Sequence, residues 1–441
     1  MTESGKKGWR DVSFEDIFPN RKKKRIIGMT FPETMPKSLT CGLFSSLEPS
    51  VLSVLPEGDN VEYSQYNIDF DDEDVLIYVC SVYITGYDEF VRWAGRHNID
   101  KIIVGGYHPT TFPEEFVRYA RKVIQGPCDD IFATIDQVGQ VVNGISTFKK
   151  ITRYDLYRPD WNQQIIPDKK LRDLVVSLWT SQGCPFNCEF CCTPIMSPKL
   201  LQKPTELVIK EVEFLKGHCP DYLFIRDENF TLQKDWRERL KIISEIGAKI
   251  YLFASANTLS KESIGFMKDN GVYMICLGLE EVNKDYKKNS NIDQVMRWMK
   301  ERGIYTYLSF IINPLDVVGK EEGKIYYERL MARIYELAPE MICGNFLMPF
   351  RGTKIWDKYY AFVSRDDYRN YDSKTPLMIR NEVVKEKMKF FMFWYQWLYY
   401  TSEFYNTEVR KFDVGDTLHL KLEDLYKEFR PKYERMWNIR P

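Results

Sequence analysis

The sequence predicts an α/β protein with two parallel-sheet domains and a smaller, mostly helical C-terminal region. Three observations predict it. Short continuous apolar runs recur along the chain, as in Asp74-Val75-Leu76-Ile77-Tyr78-Val79-Cys80, and read as strands buried on both faces. Amphipathic stretches fall between them, such as Thr205–Leu215, with Val208, Val212 and Leu215 on one helical face. At 441 residues the chain exceeds one ordinary core, so two or three domains are expected. The boundaries are placed at 1–142 for the first sheet domain, 143–172 for a linker, 173–353 for the second sheet domain and 354–441 for the C-terminal region.

In the first domain the strands are read at Arg25–Thr30, Asp74–Cys80, Lys101–Val104 and Val123–Gln125. Ligands of such sheets bind beyond the carboxyl ends of the strands. Two segments lie there. One carries Ser81, Val82, Tyr83 and Thr85; the other is Gly105-Gly106-Tyr107-His108. Two glycines let backbone approach a ligand closely. The linker is polar, with Asp155, Pro159, Asp160 and Trp161. The second domain reads as six strand–helix units, with strands at Val175–Trp179, Tyr222–Arg226, Lys249–Phe253, Tyr273–Leu277, Tyr305–Ile312 and Met341–Leu347. That count suggests a partial, open parallel barrel. The aromatic run Lys389–Tyr400 is too short and too charged at its flanks to span a bilayer, and predicts a buried helix packed on the barrel.

The bulk numbers exclude several classes. A hydrophobic content of 44% with 28% charged residues describes a soluble globular protein. A net charge of −1 offers no field for nucleic acid or an anionic membrane. No stretch of about 18 apolar residues occurs, so no membrane span is expected. The N-terminus lacks the apolar segment of a secretory signal. Ten cysteines, several clustered, suit metal binding in a reducing compartment, and a cytoplasmic location is expected.

Cys184, Cys188 and Cys191 carry the chemistry. They lie in Gly183-Cys184-Pro185-Phe186-Asn187-Cys188-Glu189-Phe190-Cys191-Cys192, directly after the first strand of the second domain. Three thiolates in one loop fit a cubane iron–sulfur cluster, which normally takes four cysteines. Three ligands leave one iron open, and chemistry needs an open position, whereas structural metal sites are closed. The alternative is a zinc knuckle with Cys192 as fourth ligand. Adjacent Cys191 and Cys192 cannot easily both reach one tetrahedral ion.

This C-x3-C-x2-C spacing, with an aromatic before the last cysteine, resembles the signature of the radical S-adenosylmethionine (SAM) superfamily. The phrase from Gly105 to Glu115 resembles the cobalamin-binding domain that precedes the radical SAM domain in one class of these enzymes. The resemblance covers roughly Arg25 to Thr353. It implies a [4Fe-4S] cluster on the three cysteines, SAM held by its amine and carboxylate on the open iron, and reductive cleavage to a 5′-deoxyadenosyl radical. It implies an N-terminal Rossmann-like cobalamin domain, an open (β/α)6 partial barrel and a small helical end.

The same resemblance assigns residues. Asp227 and Glu228, in Phe224–Phe230, stand where acidic groups meet the SAM amine. Gly278 and Glu280, in Leu277-Gly278-Leu279-Glu280-Glu281, match the ribose-binding Gly-Leu-Glu-Ser, with Glu281 in place of Ser. Asn257 stands near a position where many relatives have an Arg for the SAM carboxylate. Ser81, Tyr83, Gly105, Gly106, Tyr107 and His108 are implied around cobalamin. The Asp-x-His-x-x-Gly motif is absent, so the cobalt is expected base-off with no histidine ligand. Gly126-Pro127-Cys128-Asp129 replaces the usual Gly-Glu-Gly-Glu. No separate catalytic residue is assigned.

The implied reaction is methylation of an unactivated carbon of a small-molecule or peptide substrate. A low-potential donor such as flavodoxin or ferredoxin would reduce the cluster. A non-methylating cyclase, rearranging or oxidising enzyme with the same domains is the alternative. A non-catalytic electron-transfer module would carry four ligands, and a tRNA-modifying enzyme would bring an RNA-binding domain and a second cluster, neither of which is read here.

Overall fold

A computed structural model describes residues 24–31, 49–65, 70–156, 175–218, 220–284 and 287–409. The first six strands are β1 (Arg25–Phe31), β2 (Val61–Gln65), β3 (Val75–Val82), β4 (Ile102–Gly105), β5 (Lys122–Gln125) and β6 (Val141–Asn143). They form one sheet in the order β2-β1-β3-β4-β5-β6, and every pairing is parallel. The chain therefore switches direction across the sheet between β1 and β3, the place where open α/β sheets bind ligands.

Alternation along the strands loads both faces of this sheet. Ile27, Met29, Phe31, Tyr78, Cys80 and Val104 point to one face with Phe90 and Trp93 of the helix Tyr87–Ala94. The Phe31 ring meets Phe90 at 5.2 Å and Trp93 at 5.4 Å. Ile26, Val61, Ile77, Val79, Ile103 and Ile124 point to the other face, where Leu52 and Ile131 cover them. Two strands, β2 and β6, escape the sequence reading. Both are edge strands, and Glu62, Ser64 and Gln65 break the apolar run in the first.

The second sheet contains β7 (Val175–Leu178), β10 (Tyr222–Ile225), β11 (Lys249–Phe253), β12 (Val272–Glu280), β13 (Tyr305–Ile312) and β14 (Met341–Phe346). Its order follows the chain, β7-β10-β11-β12-β13-β14, with all pairings parallel and the ends unjoined. Between β7 and β10, β8 (Ser181–Gln182) pairs antiparallel with β9 (Leu201–Gln202). That short ladder closes the neck of the cysteine loop.

The aromatic run forms the helix Glu382–Thr401. It packs on the helix Lys320–Leu337, where the Tyr327 and Tyr395 rings stack at 4.7 Å. It also packs on β14, the edge of the sheet. The Ile342 amide donates to the Tyr400 hydroxyl at 2.7 Å, and that hydroxyl donates to the Ile342 carbonyl at 3.3 Å. One side chain thus satisfies both backbone groups that an edge strand leaves open.

The described part of the expected linker is docked. The Thr152 amide donates to Glu211 at 2.7 Å, and the Lys203 ammonium reaches both Glu211 oxygens at 2.7 and 2.8 Å. Lys203 and Glu211 are each 1% exposed, so the pair is compensated inside the protein rather than by water. Residues 157–172 of that expected linker, and 410–441 of the C-terminal region, lie outside the described residues.

Residues that follow the second sheet reach back to the first. Arg351 pairs with Glu114 at 2.5 Å, Tyr368 donates to Glu115 at 2.9 Å, and Arg369 pairs with Asp88. Among the described residues no helix is long and apolar enough to cross a membrane.

Candidate active site

The cysteine loop leaves β7 through Trp179 and Thr180 and passes the β8–β9 neck. A tight turn then follows, in which the Cys191 amide donates to the Cys188 carbonyl at 3.1 Å. Cys184, Cys188 and Cys191 are all half-buried. Burial pushes the thiols of Cys184 and Cys188 up, while the charge of Lys288 pulls Cys188 part of the way back. Among the described residues no three Cys, His, Asp or Glu side chains converge on a single metal ion. Thiolates on three corners of a cubane do not need to converge on one atom, so the set fits a cluster with one iron left open.

Asp227 and Glu228 follow β10 and face this loop differently. Asp227 is fully buried. Its Oδ1 accepts from the Thr180 amide at 2.7 Å. Its Oδ2 accepts from the hydroxyls of Thr180 and Ser181 at 2.6 and 2.8 Å and from the Gln233 amide at 2.8 Å. With these four donors Asp227 latches the start of the cysteine loop. Burial pushes its carboxyl up, against the donors that favour the ionised form. Glu228 accepts from the Gly183 amide at 3.0 Å, and burial pushes its carboxyl up to about 7.

At the end of β12 the backbone bulges between Gly278 and Glu280, and Glu280 adopts a left-handed φ of 63°. That conformation is uncommon for a residue with a side chain and points to a constrained role. The carboxylate folds back over Gly278, where a Cβ would lie 2.1 Å from Glu280 Oε1. A side chain at 278 would displace the Glu280 carboxylate from this position. Glu280 is 6% exposed and pairs with Lys288, whose ammonium lies 5.4 Å from the centre of the Phe190 ring. Burial pulls Lys288 down, but Glu280 and the nearby cysteines outweigh it and hold the ammonium above its ordinary value. Asn257 is exposed in the turn Ala256–Thr258 after β11.

A cavity opens where the carboxyl ends of the two sheets meet, with about 1190 Å³ of space including its mouth. Ser81, Tyr83, Gly105, Gly106 and Tyr107 line it from the first sheet, with Gly126, Cys128 and Asp129. Trp179, Gln182, Cys192, Met196 and Glu228 line it from the second. At Gly106, with φ 105°, a Cβ would meet Ser81 Oγ and the Val82 amide, each at 2.9 Å, so the wall comes as close as backbone permits. The Tyr107 hydroxyl and Trp179 Nε1 are buried with no hydrogen-bond partner among the described residues. Unpaired polar atoms in a cavity wall suit a large ligand that carries its own donors and acceptors, as the amide-rimmed corrin of cobalamin does.

His108 is not part of this wall. Its Nε2 lies 3.1 Å from Glu115 Oε2, and its ring packs among Tyr87, Phe112, Phe116 and Tyr368 with no exposed surface. Burial lowers its pKa. The loop that carries His108 borders the cavity through Tyr107, while the imidazole itself is absent from its lining. Three wall residues escape sequence reading. Trp179 reads as the end of a strand, Cys128 reads as a scattered thiol, and Met196 carries no signal. Cys192 faces this cavity from the first residue before the short helix Thr193–Met196.

Residues 180–322 match the family model of the Radical SAM superfamily. The chain is 22% identical over 331 residues to bacteriochlorophyllide d C-8(2)-methyltransferase of Chlorobaculum tepidum, across 64% of this chain and 70% of that one. It is 23% identical over 292 residues to the C-12(1)-methyltransferase of the same organism, across 62% of each, which is less than two thirds of that relative. The structure of the radical SAM methyltransferase TsrM from Kitasatospora setae, which holds cobalamin and a [4Fe-4S] cluster, superposes with a TM-score of 0.56 at 14% identity. That match covers 77% of this chain and 75% of TsrM, and at this identity it shows a shared fold.

Proposed function

We propose that this chain, which belongs to the radical SAM superfamily, is a cobalamin-dependent methyltransferase acting on an unactivated carbon of a small-molecule or peptide substrate. One observation carries the reading. The cysteine loop and the inter-sheet cavity are not separate sites: Cys191 and Cys192 are consecutive, and Cys192 and Glu228 form part of the cavity wall. A cluster site and a large ligand site thus open toward each other. The two Chlorobaculum relatives are named as methyltransferases, in keeping with this arrangement.

In this reading Cys184, Cys188 and Cys191 hold the cluster, and Glu280 accepts from the ribose hydroxyls of SAM. Ser81, Tyr83, Gly105, Gly106 and Tyr107 hold the corrin, and Trp179 offers it an indole N–H. When bound, the cofactors supply a hydrogen-abstracting radical and a methyl group, while the protein supplies position and exclusion of water. With its ring turned into the aromatic cluster, His108 offers the cobalt no ligand. A flavodoxin- or ferredoxin-like donor supplies the electrons.

The test is product counting with protein reconstituted anaerobically with iron, sulfide and hydroxocobalamin. Each methylated product should be matched by one S-adenosylhomocysteine and one 5′-deoxyadenosine. 5′-Deoxyadenosine formed without S-adenosylhomocysteine would replace this reading with a non-methylating radical enzyme.

A further inference from the structure

We propose that Lys288 supplies a cation for the methionyl carboxylate of SAM, beside the neutral hydrogen bond that the Asn257 amide can donate. The proposal rests on the SAM-binding reading above and adds a residue that no motif marks.

Three placements support it. First, the turn Lys287–Asn289 packs against the turn Ala256–Thr258, so Lys288 and Asn257 lie on neighbouring turns although 31 positions separate them in sequence. Second, the Lys288 ammonium stands between the two groups that SAM must bridge. On one side it pairs with Glu280, the ribose acceptor. On the other it lies 5.4 Å from the centre of the Phe190 ring, and Phe190 sits between the cluster residues Cys188 and Cys191. Third, the segment is fixed on the cysteine loop. Lys284 donates to Glu189 Oε1 and to Glu281 Oε1, each at 2.8 Å, with Glu189 next to Cys188.

Charge balance gives the same assignment. The side chains of Lys288 and Glu280 are 19% and 8% exposed, so each depends on the other for compensation. When ribose hydroxyls donate to Glu280, part of its capacity is taken up. A carboxylate arriving between Glu280 and the cluster loop restores a full counter-charge to the ammonium. Lysine has the right chemistry for this place. It is a compact charge with three donors, so it can keep Glu280 on one and take the carboxylate on another.

The test compares SAM with decarboxylated SAM on cluster-reconstituted full-length protein by equilibrium dialysis. Lys288→Met should weaken SAM by about tenfold more than it weakens decarboxylated SAM, which shares the ribose contact to Glu280 but lacks the carboxylate. Lys288→Arg should restore most of the SAM affinity. Iron content and cluster absorption confirm that each variant carries its cluster. Equal weakening of both ligands would overturn the proposal and make Lys288 a support for Glu280 alone; unchanged SAM affinity would overturn it outright. Wild-type protein that keeps its cluster and binds neither ligand would overturn the SAM reading with it. Methyl transfer does not enter the comparison, so a failed methyltransferase assay leaves the binding result readable.

Discussion

Asp227 holds Thr180 by both of its donors, the backbone amide at 2.7 Å and the hydroxyl at 2.6 Å. Thr180 is where the chain turns from β7 toward the cysteine loop. The carboxylate therefore sets the direction in which the loop departs.

Asp227→Ala should strand buried donors on Thr180, Ser181 and Gln233 and cost about 1–3 kcal/mol of stability for an unsatisfied group. Urea unfolding of reconstituted protein measures the loss, and iron content should fall with it. A variant of unchanged stability that loses only SAM binding would return Asp227 to the ligand set.

Cys184→Ala, Cys188→Ala and Cys191→Ala should each abolish the cluster absorption and SAM cleavage. Cys192→Ala should keep the cluster, because its thiol lines the inter-sheet cavity. Loss of iron in Cys192→Ala would point back to a four-cysteine site.

Gly105→Leu should block cobalamin uptake. A Cβ at Gly105 meets its nearest neighbour, Ile124 Cβ, at an ordinary 3.5 Å, so the sheet tolerates it while the longer side chain enters the cavity. Gly106→Leu would be a poor probe, since it clashes with backbone before any ligand arrives. Hydroxocobalamin retained on desalting measures the effect against iron content, which should not change. Full retention by Gly105→Leu would move the corrin out of this cavity.

Acid should loosen the contact between the first sheet domain and residues 365–371 through His108. Burial holds its pKa below the ordinary 6.5, with Glu115 opposing that effect only in part. A depressed folded-state pKa contributes stability above the unfolded value, and that stability is lost as pH falls below about 6.5. His108→Gln removes the titration and should flatten the decline in melting temperature on acidification. Parallel declines in both proteins would show that other groups govern it.

The strands of the second sheet can be read from sequence because both of their faces are covered, which leaves apolar runs such as Tyr222–Ile225. β2 is missed because polar residues interrupt it, and β6 because it has only three residues. The cysteine loop and Gly278–Glu280 are legible because spacing and glycine placement are local features. The type and position of Asp227 fit a ligand, and no local signal shows that Thr180, Ser181 and Gln233 donate to it. Nor does the sequence show that the His108 ring turns from its loop into an aromatic cluster. Lys288 is one of two adjacent lysines, and only the packing of two distant turns distinguishes it.

The hydroxyl of Tyr400 bears on where this enzyme can be cut. The match to the superfamily model ends at residue 322, before β14 begins and well before the helix that caps it. A fragment trimmed to the region of similarity would lack the last strand of its sheet and leave β13 unpaired on one side. One trimmed after β14 would expose the Ile342 backbone as a template for another chain. Homology and foldability therefore have different borders in this protein. A foldable fragment should run at least through the Glu382–Thr401 helix, and shorter pieces should precipitate.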